Sequence, residues 1–255
     1  MTALSEIPFI PSDLPHAVAL VEEGGRQLSY RELADRVDVL SADLGTRKSL
    51  VFLYATNDIE SVVRLLACLR AGHVVALLDP ELPVATKSIL ESRYQPGVIF
   101  DPAVPAPSNH ASSLSINDQL SVLLSTSGST GGSKFVRLTL GNLEANAKAI
   151  AASLRVTADD VAAGHLPLHY SYGLSVLLSH LVSGARIVLT SKGLMDREFW
   201  SFIRSNSVTH FPGVPFHYEM LLRLGLERLR LESVRTLTQA GGHMPIDLRE
   251  RCTDS

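Results

Sequence analysis

One stretch of the chain combines hydroxyls, glycines and a single cation, which are the groups that hold phosphate in proteins. Its nine residues are Thr126, Ser127, Gly128, Ser129, Thr130, Gly131, Gly132, Ser133 and Lys134. Because glycine tolerates positive φ, successive backbone N–H groups of such a loop can point inward at an anion, and the hydroxyls and the lysine add donors and charge. The stretch therefore predicts a loop that binds polyphosphate.

The loop differs from the two common nucleotide-binding motifs. A Walker A loop has Gly-Lys followed by Ser or Thr at a helix start, whereas here Ser133 precedes Lys134 and Phe135 follows it. A dinucleotide-binding fingerprint needs Gly-x-Gly-x-x-Gly, which the loop lacks. Apolar runs enter and leave the loop, so it is predicted to join two strands. A flexible hairpin loop without a ligand is the alternative.

Two other arrangements of residues are considered as functional sites, a histidine pair and a serine nucleophile. His165 and His169 are four residues apart, as in some metal-binding helices, but Pro167 between them disfavours a regular helix. Because no third candidate ligand is nearby, no metal site is predicted. The chain has no Gly-x-Ser-x-Gly elbow, and Ser129 has no identifiable His and Asp partners. No catalytic residue is identified, and a hydrolase is a weak alternative.

The elements upstream of the loop alternate between strands and helices. Ser29 and Glu32 are spaced as the capping box of a helix, and a second helix is predicted to start at Asn57. Buried strands are predicted over 49–55, 74–78 and 98–100. This β-α-β-α-β order predicts a parallel sheet covered on both faces.

A second alternating unit follows the loop. The proline-containing segment 101–117 is predicted to be a surface linker, and a helix is predicted from about Asn142. Further strands and helices alternate over 185–190, 196–205, 208–211, 218–224 and 234–238. The predicted fold class is therefore α/β, with stacked layers of mainly parallel sheets and helices in two sub-domains.

The composition indicates a globular, soluble protein. Of its 255 residues 45% are hydrophobic and 19% charged, with a net charge of −3, which is enough apolar content for a core. This balance does not favour a nucleic-acid partner, and no apolar run is long enough to span a membrane. The start of the chain lacks a signal-peptide pattern, so a cytoplasmic location is expected. Cys68 is expected to be a buried free thiol.

The loop resembles the phosphate-binding signature of adenylate-forming enzymes, the AMP-binding superfamily of acyl-CoA synthetases, luciferases and peptide-synthetase adenylation domains. The usual form is Thr-Ser-Gly-Thr/Ser-Thr-Gly-x-Pro-Lys-Gly, from which the chain departs at Ser133 and Phe135. Other ordered blocks agree with the resemblance, which spans about residues 27–245. It implies the N-terminal domain of an acyl-CoA-synthetase-like protein.

The resemblance assigns a second set of residues to a pocket between the nucleotide and the acyl group. They are His169, Tyr170, Tyr172, Gly173, Phe211, Gly213, Val214, Ala240, Gly241 and Gly242. In the family, the backbone at the double glycine runs along the nucleotide, where side chains would collide. The tyrosines are equally consistent with half-buried packing aromatics, Phe211 with a plain core strand, and the double glycine with a turn.

The resemblance also implies a division of the chain into three segments. Residues 1–48 would pack on the second sub-domain, and residues 49–155 would form the first α/β sub-domain, which carries the loop. Residues 156–255 would form the second α/β sub-domain, which would be incomplete.

The activity implied by the resemblance is the ATP-dependent activation of a small-molecule carboxylic acid. The carboxylate would attack the α-phosphorus of ATP to give acyl-AMP and pyrophosphate, and CoA or another thiol would then take the acyl group. Lys134 and the loop amides would hold the pyrophosphate while Mg²⁺ offsets its charge. The parent protein would be an acid–thiol ligase.

Several later motifs of the family are not found in the 255 residues. They are a Tyr-Gly-x-Thr-Glu stretch, an Asp that binds ribose, and a C-terminal domain with a catalytic Lys. We therefore expect a truncated chain that is inactive alone and that self-associates through an exposed sheet edge. A non-catalytic module that binds a nucleotide or an acyl group is the alternative.

Overall fold

The computed structural model describes residues 7–104, 107–109, 115–125 and 134–253. Within them the strands are β1 (Val18–Glu22), β2 (Gln27–Ser29), β3 (Leu50–Tyr54), β4 (Val74–Leu78), β5 (Val98–Phe100), β6 (Ser108–Asn109), β7 (Leu120–Ser125), β8 (Phe135–Thr139), β9 (Val161–Gly164), β10 (Arg186–Leu189), β11 (His210–Gly213) and β12 (Thr236–Gln239). The helices are α1 (Tyr30–Asp43), α2 (Ile59–Arg70), α3 (Val84–Tyr94), α4 (Leu140–Leu154), α5 (Ser171–Leu181), α6 (Arg197–Ser205), α7 (Pro215–Leu224), α8 (Leu226–Leu229) and α9 (Ile246–Thr253).

The first sheet places the glycine-rich loop at the end of a hairpin. Its strands lie in the order β6-β5-β3-β4-β7-β8. The four central strands are parallel, and β6 and β8 are antiparallel at the two edges. Every residue of β3 and β4 is buried, as expected for parallel strands covered on both faces. Because Ser125 pairs with Phe135, the loop joins two strands, as predicted.

The second sheet joins the start of the chain to its later half. Its order is β12-β11-β9-β10-β1-β2, and only β2 runs antiparallel to its neighbour. β1 lies beside β10, with Leu20 opposite Ile187. The largest core cluster contains side chains of both sheets. The predicted fold class, α/β with stacked layers of mainly parallel sheets, is confirmed, while the segment boundaries stay a prediction.

The helix starts follow local capping chemistry. Ser29 and Glu32 form the predicted capping box of α1, and Thr139 forms another with Asn142 at the start of α4. The predicted start of α2 at Asn57 was wrong by one residue, because Asp58 is the N-cap. The side chain of Asn57 instead donates to the carbonyl oxygens of Leu166 and Thr190, at 3.2 and 3.1 Å.

Some elements carry no clear periodic signal. α5 is buried on nearly every side, so it lacks the charged, exposed face by which an amphipathic helix is predicted. β9 has only four residues, and the expected linker at 101–117 contains the two-residue strand β6. In the part of the chain that the structure describes, no helix combines the length and apolarity needed to cross a bilayer. Cys68 is buried and free, as predicted.

A buried histidine makes the stability of the fold depend on pH. His165 stacks on Phe211, with 4.8 Å between ring centroids, and burial lowers the pKa of His165 to about 3. Because the folded state keeps this ring neutral, its contribution to stability is complete above the unfolded pKa of about 6.5 and is lost as the pH falls toward 3. Below pH 6.5 the unfolded chain therefore binds more protons than the folded chain.

We expect the free energy of unfolding to fall by about 1–2 kcal/mol between pH 6.5 and pH 5 through His165 alone. Urea unfolding at these two pH values measures the fall. In the variant His165→Phe, the aromatic packing is kept while the titrating group is lost, so the fall should shrink by that amount. An equal pH dependence in the variant and the parent chain would contradict this assignment.

Candidate functional site

The glycine-rich segment connects β7 to β8 in the chain, and α4 follows β8 directly. Residues 126–133, which carry most of the predicted phosphate-binding groups, lie outside the described residues. Lys134 is described, exposed, and directly precedes β8. Next to the β7–β8 hairpin lies a smaller cavity, here called the hollow, of about 340 Å³. Its lining includes Leu124 of β7 and Leu138 of β8. Ser171 and Ser175 of α5 complete the opposite wall.

A larger cavity of about 430 Å³ adjoins this hollow. It lies among α4, α5, β11 and the segment that follows β12, and it shares Ser171 and Ser175 with the hollow. β11 and β12 are parallel, with Gly213 opposite Gln239 at their carboxyl ends. The cavity therefore opens at the edge of the sheet where open α/β folds bind ligands.

Four of the predicted pocket residues line this cavity together. They are Tyr170, Tyr172, Ala240 and Gly241. The hydroxyl of Tyr172 donates to the carbonyl oxygen of Thr238 at 2.7 Å, which fixes α5 against the end of β12. Burial raises the pKa of Tyr172, although the hydrogen bond with Thr238 opposes it. The structure thus brings the 169–173 and 239–242 segments to one rim.

Gly241 allows the closest approach at this rim. Its φ is +83°, and a Cβ atom built there would lie 2.1 Å from the hydroxyl oxygen of Tyr170. Both the backbone conformation and the space therefore favour glycine. A Cβ atom at Gly242 would meet only Pro215, at 3.4 Å, so the second glycine is not needed for packing.

Two other predicted residues shape the rim from outside the cavity wall. A Cβ atom at Gly173 would lie 2.2 Å from the carbonyl oxygen of Pro167, so this glycine lets the preceding turn fold onto α5. His169 is partly buried, and burial lowers its pKa while the charge of Asp79 opposes that effect. His169 is not among the residues that line the 430 Å³ cavity.

The remaining predicted residues belong to the packing of β11. Phe211 is fully buried among Phe199, Trp200 and Tyr218, which matches the alternative that it is core. Gly213 faces the ring of Tyr218, since a Cβ atom there would lie 2.9 Å from it. Val214 is the N-cap of α7, and its side chain approaches Gly241. The residues of β11 that line the cavity are His210 and Pro212.

Two histidines of the cavity wall were missed from the sequence. His180 is near the end of α5 and His210 starts β11; both are buried, with ring centroids 5.2 Å apart. Burial lowers the pKa of His180 to about 4 and also lowers that of His210, against the opposing charge of Asp160. Polar residues inside two otherwise apolar runs were the available sequence signal.

A buried carboxylate holds His210 in place. Asp160 Oδ1 accepts hydrogen bonds from Arg235 at 2.7 Å and Thr209 at 3.1 Å, and it lies 3.4 Å from His210 Nδ1. Burial alone would raise the pKa of Asp160, but hydrogen bonds from the backbone and side chain of Thr157 outweigh it, so this pKa lies below its ordinary value. Among the residues described, no group of three Asp, Glu, His or Cys side chains is arranged to hold a metal ion.

Known proteins are similar in sequence to most of this chain. The family model described as AMP-binding enzyme matches residues 11–112 and 91–255. The 2-succinylbenzoate–CoA ligase of Bacillus pumilus (strain SAFR-032) is 29% identical over 260 residues, which cover 91% of this chain and 52% of the ligase. Equisetin synthetase eqxS of Fusarium heterosporum is 27% identical over 260 residues, covering 90% of this chain and 7% of the synthetase. The chain thus spans about half of the ligase.

Solved structures share the fold. O-succinylbenzoate coenzyme A synthetase from Bacillus subtilis, in complex with AMP, superposes with a TM-score of 0.78 at 24% identity, covering 94% of this chain and 68% of that one. ATP-bound MatB from Rhodopseudomonas palustris superposes with a TM-score of 0.79 at 22% identity, covering 94% of this chain and 55% of that one. The acyl-CoA-synthetase-like architecture implied by the loop is therefore confirmed.

Proposed function

We propose that this chain, which belongs to the AMP-binding enzyme family, forms the ATP- and acid-binding N-terminal portion of an adenylate-forming ligase of the acyl-CoA synthetase type. The proposal rests on one observation. The hollow next to the β7–β8 hairpin and the 430 Å³ cavity are adjacent, because Ser171 and Ser175 line both. A phosphate held by the loop and an acid held in the cavity would therefore lie side by side.

The proposed reaction begins with attack of a carboxylate oxygen on the α-phosphorus of ATP. The bond from that phosphorus to the bridging oxygen breaks, and pyrophosphate leaves. A thiolate, from CoA or another thiol, then attacks the acyl carbon, and AMP leaves as the thioester forms. Such chemistry depends mainly on positioning and charge stabilisation.

Each described part of the site has a proposed role. Lys134 supplies positive charge to the leaving pyrophosphate, together with the amides of residues 126–133. The backbone at Gly241 gives the nucleotide a close approach, and Tyr170 and Tyr172 separate it from the acid. The ATP and AMP in the named structures support nucleotide use, and Mg²⁺ is proposed to arrive with the phosphates.

The test of the phosphate site is the substitution Lys134→Ala. Losing the charged donor is expected to weaken pyrophosphate binding by about 1.5–3 kcal/mol, the range for a hydrogen bond to a charged group. Isothermal titration of pyrophosphate into the purified chain measures the change. Lys148→Ala removes the same charge from an exposed position on α4 and should leave the affinity within error. Equal losses in both variants, or none in Lys134→Ala, would reject the assignment.

A binding module without turnover is the second proposal. It needs only the 430 Å³ cavity and the glycine-rich segment, without the later family motifs. A module and a ligase portion would both bind pyrophosphate, but only the ligase portion would exchange it into ATP when completed by the remaining half of the protein. Pyrophosphate exchange with the completed protein therefore separates the two proposals.

We also propose that β12 pairs with a further strand, either from the rest of the protein or from a second copy. Within the described residues it pairs only with β11, and Leu237 on it is 41% exposed. A strand edge with unpaired N–H and C=O groups favours such pairing. Sedimentation velocity should show self-association that Leu237→Lys reduces. A monomeric parent chain at high concentration would reject pairing between copies.

A further inference from the structure

The corner between β3 and α2 is held by its own hydrogen bonds. Asp58 is the N-cap of α2 and accepts from the backbone N–H of Ser61 at 2.7 Å. The backbone N–H of Thr56 donates to Ser61 Oγ at 3.1 Å, and the Thr56 hydroxyl donates to Asp58 Oδ2 at 2.5 Å. These bonds fix the backbone on both sides of Asn57, which is buried.

The side-chain amide of Asn57 makes three hydrogen bonds with the second sheet and the turn that follows β9. Nδ2 donates to the carbonyl oxygens of Leu166, at 3.2 Å, and Thr190, at 3.1 Å. Oδ1 accepts from the backbone N–H of Leu168 at 3.2 Å. Both N–H donors of the amide are thus used, and the partners fix which end is the oxygen. β9 and β10 pair up to the residues just before these contacts, so Asn57 satisfies the backbone where the two strands separate.

The segment that Asn57 holds leads directly to the cavity rim. Residues 165–170 connect β9 to α5. The turn is closed by the backbone N–H of Tyr170, which donates to the carbonyl oxygen of Pro167 at 3.0 Å. Tyr170 lines the 430 Å³ cavity and lies against Gly241. The place of Tyr170 at the rim therefore depends on the place of the turn.

Asn57 itself belongs to the sheet that carries the glycine-rich segment. β3, which precedes it, pairs along its whole length with β4, and β4 pairs with β7, the strand that enters that segment. A second contact of the same corner, from the N–H of Ile59 to Glu22 Oε2 at 2.9 Å, reaches the end of β1 and not the turn. Asn57 thus connects the turn before the rim to the sheet of the β7–β8 hairpin.

We propose that Asn57 is a positioning residue, which sets the cavity rim at the distance from the β7–β8 hairpin at which one ligand occupies both. This inference rests on the proposed function, because it takes the hairpin as the phosphate site and the rim as the nucleotide site. A ligand that spans two sites gains affinity from the second site only when their spacing matches its length. ATP spans both sites, whereas pyrophosphate occupies only the hairpin. Loss of the Asn57 amide therefore weakens ATP binding and spares pyrophosphate binding.

The test compares these two ligands in substitution variants. Isothermal titration of ATP and of pyrophosphate gives the ratio of their affinities for each purified chain. In Asn57→Ala the three hydrogen bonds are lost, and the ratio should fall about tenfold, because a small misplacement removes much of the gain from joint binding. Asn57→Ser, which keeps a hydroxyl donor, should lie between Asn57→Ala and the parent chain.

Tyr30→Phe is the matched control. The hydroxyl of Tyr30 is buried and donates to the carbonyl oxygen of Ala185 at 2.7 Å. Ala185 directly precedes β10, so this bond lies at the opposite edge of the sheet from Thr190. The control removes a buried hydrogen bond but leaves the turn untouched, and its ATP-to-pyrophosphate ratio should equal that of the parent chain. Urea unfolding shows which variants are folded under the conditions of the titration.

A measurement on the parent chain decides if neither Asn57 variant folds. By reciprocity, a ligand that needs the turn in place must also stabilise it. ATP should therefore slow amide hydrogen exchange at Leu168, whose N–H donates to Asn57, about tenfold more than pyrophosphate does. Equal exchange rates with the two ligands would overturn the inference.

The titrations also separate this inference from the proposed function. An unchanged ratio in a folded Asn57 variant, an equal fall of both affinities, or the same fall in Tyr30→Phe rejects the positioning role and leaves the proposed function standing. A parent chain that binds pyrophosphate but binds ATP no more tightly rejects both the rim as the nucleotide site and the role of Asn57. A parent chain that binds neither ligand rejects the proposed function, and the inference falls with it.

Discussion

Replacing Gly173 with alanine is expected to destabilise the chain by about 3 kcal/mol or more, at the upper end of what overpacking costs. A Cβ atom there would lie 2.2 Å from the carbonyl oxygen of Pro167 and 2.7 Å from that of Leu166. Both contacts are to backbone, which cannot swing away as a side-chain tip can. The first turn of α5 and the preceding segment would therefore have to separate.

A second glycine gives the matched control for this substitution. Gly141 lies in the first turn of α4, and a Cβ atom there would approach only the hydroxyl oxygen of Thr139, at 3.8 Å. Gly141→Ala should be neutral or stabilising by about 0.5–1 kcal/mol, because alanine favours a helix. Urea unfolding of both variants measures the contrast. Similar midpoints for the two variants would show that the turn at Pro167 can relax, against our expectation.

The same contact makes Gly173 important for the site. The turn that it accommodates ends at Tyr170, whose backbone N–H donates to the Pro167 carbonyl at 3.0 Å. Tyr170 in turn covers Gly241 at the cavity rim. The resemblance assigns Gly173 to the pocket, but in the structure this glycine acts from behind the rim, where it lets the two rim segments come together.

Local chemistry allowed much of the first sheet to be predicted. Its fully buried strands read as continuous apolar runs, and the capping box at Ser29 marks the start of α1. The second sheet was harder because the helix beside it, α5, is buried on nearly every side and has no charged face. Periodicity cannot distinguish such a helix from a buried strand. Nor does local pattern show that β1 pairs with β10, because that pairing is between distant segments.

The alternation of side chains along β11 explains the main difference between the predicted and the observed lining of the cavity. Successive side chains of a strand point to opposite faces, so naming the right strand still leaves two choices of face. Phe211 was assigned to the pocket, yet it packs in the core, while His210 and Pro212 line the cavity. Sequence alone could not choose between these faces, because the neighbours that cover each face come from α5 and α6.

The two histidines of the cavity wall show a further limit of local reasoning. His180 and His210 are 30 positions apart in the sequence, and neither belongs to a motif. Their meaning depends on the 5.2 Å distance between their rings and on the partners of their Nδ1 atoms. The rim, in contrast, was predictable from the resemblance, because Tyr170, Tyr172, Ala240 and Gly241 all belong to contiguous blocks.

We expect no carboxylate-dependent exchange of labelled pyrophosphate into ATP by the 255-residue chain alone. The Tyr-Gly-x-Thr-Glu stretch, which the resemblance links to the metal, is not among these 255 residues, and neither are the ribose-binding Asp and the catalytic Lys that it implies. Groups that act together in a reaction are not replaced by those that remain. Loss of the set should therefore abolish exchange rather than reduce it.

The assay uses a panel of aliphatic and aryl carboxylic acids, with the full-length B. pumilus ligase and 2-succinylbenzoate as the positive control. Binding of pyrophosphate by the same preparation, and its weakening by Lys134→Ala, would show that the phosphate-binding loop is folded. A lack of exchange would then result from absent catalytic groups and not from an unfolded chain. Exchange well above background, dependent on both an added acid and Lys134, would overturn the expectation. Such a result would mean that residues within these 255 positions fill the roles that the resemblance assigns elsewhere.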